Sequence, residues 1–377
     1  MPKIVLILGG GPGGLTAASR LRQMLGAEHR VVLVDRSPYY TYGPSLTWVM
    51  VGKRQLPRIT RDIRDIRKRG IEVKIAEITD IDANQKRVTL TKETIDYDYL
   101  VIALGTVYSD AEVPGLGRAW TFYHPDGAEG MAEELPNFSS GRIVVSAPRL
   151  PYKCPPSLYE GALLLDAYYR KAGLRENIEI TVTTPENEPL YQYPGCGERV
   201  LTLLRSRKIA FRGGARMTSV DSDNQQLHFA NGDPLAFDML VAAPVHRLPP
   251  MLDSLGLNGP DGWIAADAQT LATGAPDVYA IGDCNTVLTP AGEPLPKSGT
   301  VAEGEAEVVA RNIAAEITGE QPTWAFGGES ACSMETDFSH GATISANHFA
   351  EPPKASMRGP SRLAHWAKVG AERVWLS

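Results

Sequence analysis

The chain lacks several things that whole classes of protein need. Four cysteines among 377 residues are too few for a disulfide scaffold, so a disulfide here reads as catalytic rather than structural. No apolar run approaches the roughly 18 residues that cross a bilayer. Thirty-eight Lys and Arg against 44 Asp and Glu leave a net charge of −6, which removes the electrostatic reason to expect nucleic acid. The basic tract Arg61–Arg69 alternates in sign and reads as a solvated helix face. No charged and apolar leader precedes the first strand, so no signal peptide is expected. The expected location is cytoplasmic or peripheral on a membrane face.

What is present begins at Lys3. Ile4 to Leu8 are apolar and run into Gly9-Gly10-Gly11-Pro12-Gly13-Gly14; a helical pattern follows (Leu15, Ala18, Leu21, Leu25), and Val31–Val34 ends on Asp35. This is a βαβ unit with Gly9, Gly11 and Gly14 in G-x-G-x-x-G spacing. Gly9 makes the tight turn, Gly11 lets a pyrophosphate reach the backbone, and Gly14 lets helix and strand pack closely. Phosphates then rest on the helix N-terminus, where free N–H groups and the dipole favour negative charge. Asp35, 21 residues past Gly14, stands where a carboxylate takes ribose hydroxyls. The unit predicts a bound dinucleotide.

Downstream, Ile95–Thr106 ends in Ala103-Leu104-Gly105-Thr106, and Asp277–Asp283 reads DVYAIGD. These resemble the second and third fingerprints of two-dinucleotide flavoproteins. Taken with the first, the resemblance makes the dinucleotide FAD. The implied fold is α/β, with two Rossmann-like three-layer domains arranged as in glutathione reductase and a discontinuous FAD domain. The expected divisions are 1–110 and 251–320 for the FAD domain, 111–250 for the inserted domain, and 321–377 for a small C-terminal region. Candidate cofactor contacts are Gly9, Gly11, Pro12, Gly13, Gly14, Asp35 and Arg36, then Gly43 and Pro44, then Ala103, Gly105, Gly282, Asp283 and Lys297. The inserted domain departs from the pattern. Its first strand, Arg142–Ala147, leads into Pro148-Arg149-Leu150-Pro151-Tyr152-Lys153-Cys154-Pro155-Pro156. Proline has no N–H for a phosphate and cannot make the glycine turn. The nicotinamide site is therefore expected to be lost or rebuilt, and the reductant to be something else.

Cys154 precedes an expected helix, Leu158–Tyr169, whose N-terminal field favours a thiolate. Cys332 lies 178 positions on, in ESACSMETDF, without clear periodicity. From composition, each reads equally as a small buried hydrophobe. The segments YKCPPSLYEG, ESACSMETDF, PKSGTVAEGEAEVVARNI and RLAHWAKVGAERVW resemble the sulfide:quinone oxidoreductase and flavocytochrome c sulfide dehydrogenase group. The resemblance implies that Cys154 and Cys332 are a redox pair beside the flavin, attacked by sulfide and yielding zero-valent sulfur or polysulfide. It implies Glu160 as the acid that shuttles the proton of hydrogen sulfide. It places the Lys297 ammonium at the flavin N1/O2 edge, where a cation stabilises the reduced ring. Cys196 and Cys284 are left over; Cys284, beside Asp283, is expected to be packing. His124 stands where some relatives carry a third cysteine, and is a further acid–base candidate.

The electron acceptor implied is a quinone of the membrane pool, or a cytochrome c partner in the dehydrogenase branch. Where that branch attaches FAD through a cysteine, this chain reads Tyr39-Tyr40-Thr41-Tyr42-Gly43, so FAD is expected to be non-covalent. Ser361–Trp375 sets Leu363, Trp366, Val369 and Trp375 among Arg362, Lys368 and Arg373, the composition of an interfacial helix or of one docked on the body. A homodimer would double any membrane grip. No metal site is expected. Two alternatives share the FAD fingerprints. A type II NADH dehydrogenase should have glycines where the prolines stand, and a flavin redox sensor would use the cysteines without turnover.

Overall fold

The computed structural model describes residues 1–377. Five parallel strands form the first sheet, in the order Val278–Ala280, Tyr99–Ile102, Ile4–Leu8, Arg30–Asp35, Glu72–Ile75. The strand Ile4–Leu8 shows why both faces must be covered. Val5 and Ile7 enter one core, Leu6 and Leu8 the other, as the two-residue period of a strand requires. Helices Pro12–Met24 and Gly299–Thr318 pack on the first face through Ala17, Leu21, Val309 and Ile313. Each large aliphatic side chain so buried contributes about 1.5–3 kcal/mol. The opposite face carries the antiparallel sheet Ile78–Asp82, Arg87–Leu90, Thr94–Asp96. The edge strand Val278–Ala280 comes from far along the chain, so this nucleotide-binding unit is discontinuous.

A second parallel sheet runs in the order Ile209–Arg212, Ile178–Thr183, Gly141–Ser146, Met239–Ala242. Helix Pro156–Lys171 packs against it, most of its residues buried. A short antiparallel pair, Val107–Tyr108 with His246–Arg247, joins the two halves. The architecture is therefore the two-sheet α/β arrangement expected. Beyond residue 328, strands Glu329–Glu335, Gly341–Asn347 and Lys354–Ser361 form an antiparallel sheet, against which helix Arg362–Trp375 docks.

One local expectation needs correction, and two open points are resolved. The tract Arg61–Arg69 is not an α-helix: Thr60–Asp62 is a strand paired with Tyr39–Thr41, and Ile63–Arg69 is a 3₁₀ stretch. Asp62 caps that stretch, accepting from Arg64 N at 2.9 Å; only Ile63 is buried, so no apolar face demands a longer helix. Cys332 lies in a regular strand, missed because its small and polar residues carry no periodic signal. The last helix is both docked and exposed. Ala364, Lys368, Val369 and Glu372 face inward, while Leu363, Trp366 and Val374 stand in solvent. No helix is long and apolar enough to cross a membrane.

Candidate active site

The glycine cradle comes first, because backbone alone builds it. Gly9 has φ +106°, and a Cβ there would lie 2.3 Å from the Ala103 carbonyl oxygen; at Gly14 a Cβ would meet the Gly9 oxygen at 1.9 Å. At Gly11 a Cβ would meet nothing within 4 Å. Two glycines are thus demanded by the fold, and the third faces open space above the helix start. That space is what a pyrophosphate needs. Asp35 closes the cradle from the next strand, its Oδ2 accepting from Gly10 N at 2.6 Å and Oδ1 from Ser37 N at 2.7 Å. Gly43 and Gly105 also have no atom within 4 Å of an added Cβ, and Gly282 takes φ +74°. Pro12 lies against Gly299 and Gly13 against Ile281. Pro44 is the middle residue of the 3₁₀ turn Gly43–Ser45. Arg36 is exposed at the rim.

A test of the cradle follows. Gly11→Ala should fold with unchanged thermal stability in the absence of cofactor, yet lose dinucleotide affinity by about 100-fold, read by fluorescence titration. A methyl group intrudes on the phosphates but on no protein atom. Unchanged affinity would remove Gly11 from the site.

The sequence after Val278 places Gly282, Asp283, Asn285, Lys297, Ser298 and Glu305 around one cavity. Lys297 is buried, donating to the Asp283 carbonyl at 2.7 Å and the Asn285 carbonyl at 3.1 Å, with its ammonium 3.5 Å from the Trp263 ring centre. Burial pushes its pKa down to about 8. It is not a surface lysine. Glu305 accepts from Gly282 N and Asn285; burial raises its carboxyl to about 8, and its second oxygen is buried without a partner. An orphaned acceptor here fits a cofactor edge with a hydrogen-bond donor. Sequence reasoning missed Glu305, whose only signal is an acid on the buried face of an amphipathic helix.

Lys297 also connects to the cysteines, since Cys154 N donates to the Lys297 carbonyl at 2.7 Å. Cys154 sits at φ +49°, a left-handed conformation that costs a non-glycine residue about 1–3 kcal/mol and tends to mark functional sites. The hydrogen bond from Ser157 N to its carbonyl, 2.8 Å, holds it there. Opposite lies Cys332, near enough that the two thiols act on each other's ionisation. Two residues 178 positions apart are thus brought together, both as free thiols. Tyr193 and Ser298 hydroxyls also reach Cys332 Sγ, at 3.8 and 3.7 Å. Their donation, with that of Cys154, lowers the Cys332 thiol to about 7. Cys154 goes the other way: its bond to Cys332 and its burial push its thiol well up.

The surroundings of the pair thus favour ionisation at Cys332 over Cys154, the reverse of what the helix start alone suggests. The helix starts only at Pro156, with Pro155 as its cap, so its first N–H groups are not aimed at Cys154. The hydroxyl donors cluster on Cys332 instead. In the reduced protein, alkylation at Cys332 should rise with pH to half its maximum near pH 7 and be suppressed below it. Tyr193→Phe together with Ser298→Ala should move that midpoint upward by about one unit, the effect of losing two donors to a thiolate. Peptide mapping of the alkylated cysteine checks both.

Glu160 is buried in the second turn of helix Pro156–Lys171. It accepts from Thr47 Oγ1 at 2.5 Å and pairs with Lys368 of the last helix. Tertiary structure, not the helix dipole, is what holds this carboxylate. Cys196 is buried at the start of helix Gly197–Ser206. Cys284 donates to the Ile281 and Ile102 carbonyls, and burial pushes its thiol up to about 12. His124 is a helix cap, its ring accepting from Gly127 N at 3.3 Å.

In the second sheet, the acid after the second strand is Glu186, the counterpart of Asp35. It is buried, and Tyr152 and Tyr159 donate to it at 2.8 and 2.7 Å, Thr184 at 3.2 Å. Tyr152 comes from the proline loop itself. At the far edge, Tyr40 and Tyr42 pack on Trp375 with tilted rings, and burial raises the Glu303 carboxyl to about 7. Neither Glu186 nor Glu303 was singled out by sequence.

A family model described as pyridine nucleotide-disulphide oxidoreductase matches residues 3–145 and 165–306. The chain belongs to that family. It is accordingly an oxidoreductase with a flavin site, and the cradle and the orphaned Glu305 oxygen fit such a cofactor. Similar family members include the mitochondrial sulfide:quinone oxidoreductase of Mus musculus, 26% identical over 364 residues, covering 92% of this chain and 79% of that one. The sulfide-quinone reductase of Aquifex aeolicus is 25% identical, covering 100% of this chain and 91% of the other. The type II NADH:quinone oxidoreductase of Staphylococcus aureus is 23% identical, covering 84% and 83%. Among solved structures, the Aquifex aeolicus sulfide:quinone oxidoreductase superposes with a TM-score of 0.89 at 21% identity, over 99% of this chain and 90% of that one.

Proposed function

We propose that this protein oxidises sulfide to zero-valent sulfur, released as polysulfide, and passes the electrons to a quinone. The observation that carries the reading is that Cys154 and Cys332 meet at the Lys297–Ser298 turn, Cys154 through its N–H to the Lys297 carbonyl and Cys332 through its sulfur to the Ser298 hydroxyl. The names of the mouse and Aquifex relatives agree with it. FAD, held non-covalently, supplies the two-electron relay between sulfur and quinone. Gly9–Gly14 and Asp35 would hold its pyrophosphate and ribose, and Asp283 and Lys297 its flavin end.

The chain's own residues handle sulfur and protons. Hydrosulfide attacks the oxidised pair, the S–S bond breaks, and a persulfide forms on Cys154. The other sulfur leaves as the Cys332 thiolate, the better leaving group because its pKa is the lower. Tyr193 and Ser298 hold that thiolate. Glu160 takes the proton of hydrogen sulfide. The aromatic edge formed by Tyr40, Tyr42 and Trp375 would seat the quinone ring, with Glu303 able to give a proton near neutral pH. Leu363, Trp366 and Val374, exposed beside Arg362 and Arg373, would rest this edge on the membrane holding the quinone pool. In this reading, 1–110 with 251–320 is the FAD domain, 111–250 the insert, and 321–377 the region that brings Cys332.

NADH is disfavoured as reductant by two features: the proline loop, and Glu186, whose carboxylate two tyrosines already occupy. Anaerobic mixing of the yellow protein with sulfide should bleach the flavin band, and a soluble quinone analogue should restore it. NADH should leave it unchanged. Bleaching by NADH and not by sulfide would overturn the proposal in favour of an NADH dehydrogenase; recovery with cytochrome c alone would overturn the quinone assignment.

A further inference from the structure

The loop that carries Cys154 runs from strand Gly141–Ser146 to helix Pro156–Lys171. Within it, Pro148 to Lys153 make no backbone–backbone hydrogen bond, and Pro148 and Pro151 have no N–H to give. A segment without a backbone ladder takes its conformation from what its side chains reach. Arg149 donates to the Met217 carbonyl, and Lys153 stands 3.6 Å from Asp283, both from partly exposed positions. Tyr152, two residues before Cys154, is the buried anchor. It is 2% exposed, and its hydroxyl donates to Glu186 Oε2 at 2.8 Å.

Glu186 is itself buried and forms no ion pair with a lysine or arginine. Hydroxyls satisfy it instead, as a buried carboxylate requires. Tyr159, in the first turn of the helix after Cys154, donates to the same Oε2 at 2.7 Å, and Thr184 at 3.2 Å. The donors come from three places: the loop, the helix after it, and the end of strand Ile178–Thr183. Thr183 pairs with Ser146 across the sheet, so the two strand ends lie side by side and Glu186 reaches the neighbouring loop. Asp35, its counterpart, accepts from backbone N–H groups of its own cradle. The acid of the second sheet holds the cysteine loop.

We propose that Glu186 is a positioning residue for Cys154, holding Tyr152 so that the loop presents its sulfur to Cys332 and thereby setting how readily the pair closes as a disulfide. The inference rests on the sulfide reading, from which it takes the two cysteines as a redox pair, and it names the group that aligns them. Closure breaks two S–H bonds, forms one S–S bond and releases two electrons and two protons. In the proposed reaction the electrons go to the flavin; in the test below they go to oxidised dithiothreitol, which takes up both protons as it becomes the dithiol. Groups held in reacting geometry behave as if at high effective concentration, and a small misplacement lowers it. Cys154 keeps its own N–H bond to the Lys297 carbonyl, so losing Glu186 loosens the sulfur without freeing it.

The flavin-loaded protein is equilibrated without oxygen over a series of reduced-to-oxidised dithiothreitol ratios, then trapped with an alkylating agent and mapped for free Cys154 and Cys332. Glu186→Ala should raise the midpoint potential of the pair by about 30 mV, a tenfold loss in the closure equilibrium for a two-electron couple. Tyr152→Phe keeps the ring and removes only the hydroxyl; it should shift the midpoint in the same direction by a similar amount, and it carries the test if Glu186→Ala does not fold. Glu186→Gln retains an acceptor oxygen and should stay within about twofold of the parent equilibrium. A general loss of stability would lower the melting temperature and leave the midpoint in place. Parental midpoints in Glu186→Ala and Tyr152→Phe overturn the assignment, as does a shift in the first that the second lacks. A shift in Glu186→Gln as large as in Glu186→Ala overturns it too. The titration uses no sulfide, so it decides the role of Glu186 even if sulfide fails to bleach the flavin and the sulfide reading falls. If the parent forms no Cys154–Cys332 disulfide in oxidised dithiothreitol alone, there is no pair to align and the assignment falls.

Discussion

Replacing either Cys154 or Cys332 by serine is expected to reduce sulfide-driven bleaching of the flavin by at least about a thousand-fold, the scale on which loss of a covalent nucleophile is felt. Each cysteine is needed for a different reason. Cys332 is the sulfur whose ionisation its donors favour, so in the proposed step its loss removes the leaving group. Cys154 is the protonated partner in a constrained backbone conformation, so its loss removes the sulfur that receives the persulfide. Cys196→Ala is the control, since that buried thiol lies outside the cluster. Cofactor content and the visible spectrum should be normal in all three proteins. A serine variant that still bleaches within tenfold of the wild-type rate would mean that sulfide reduces the flavin directly.

The second large effect is on stability. Glu160 and Lys368 are both nearly free of solvent contact. Breaking a buried ion pair by removing one partner costs about 3–5 kcal/mol, because the remaining charge stays buried and unpaired. Lys368→Met should lower the thermal midpoint of the cofactor-saturated protein by that free energy. Glu160→Gln in the same chain should return most of it, because a neutral amide keeps the Thr47 hydrogen bond and needs no counter-ion. A cycle of the single and double variants measures the coupling. If Lys368→Met is as stable as the parent, the pair does not tie the last helix to the cysteine helix, and Glu160 is free to be placed by other contacts.

The two sites differ in how far the sequence reveals them. The cradle was legible because its residues act through the backbone and are adjacent in the chain. Gly9, Gly11 and Gly14 follow a strand and open a helix, and the structure gives each of them a distinct steric situation. The proline loop was legible for the same local reason. That Glu186 would be closed off by Tyr152 and Tyr159 was not, since the carboxylate and its donors come from separate elements. Resemblance proposed Cys154, Cys332 and Lys297; spacing could not have paired them. Cys332 lay in a strand whose small polar residues gave no period, and the hydroxyls that reach its sulfur, Tyr193 and Ser298, are distant in sequence.

By itself, then, the sequence determined the local machinery: the alternating burial of Ile4–Leu8, the glycine turn, the acid at Asp35, and the proline block at the second nucleotide loop. Each is set by dihedral preference and side-chain period within a few residues. Only the tertiary structure decided which cysteine the hydroxyls of Tyr193 and Ser298 reach, which lysine pairs with Glu160, and what surrounds Glu303 and Glu305. Those outcomes depend on burial and on donors supplied by remote strands and helices. A pKa or an ion pair is a property of what surrounds a group, and that neighbourhood exists only once the chain is folded.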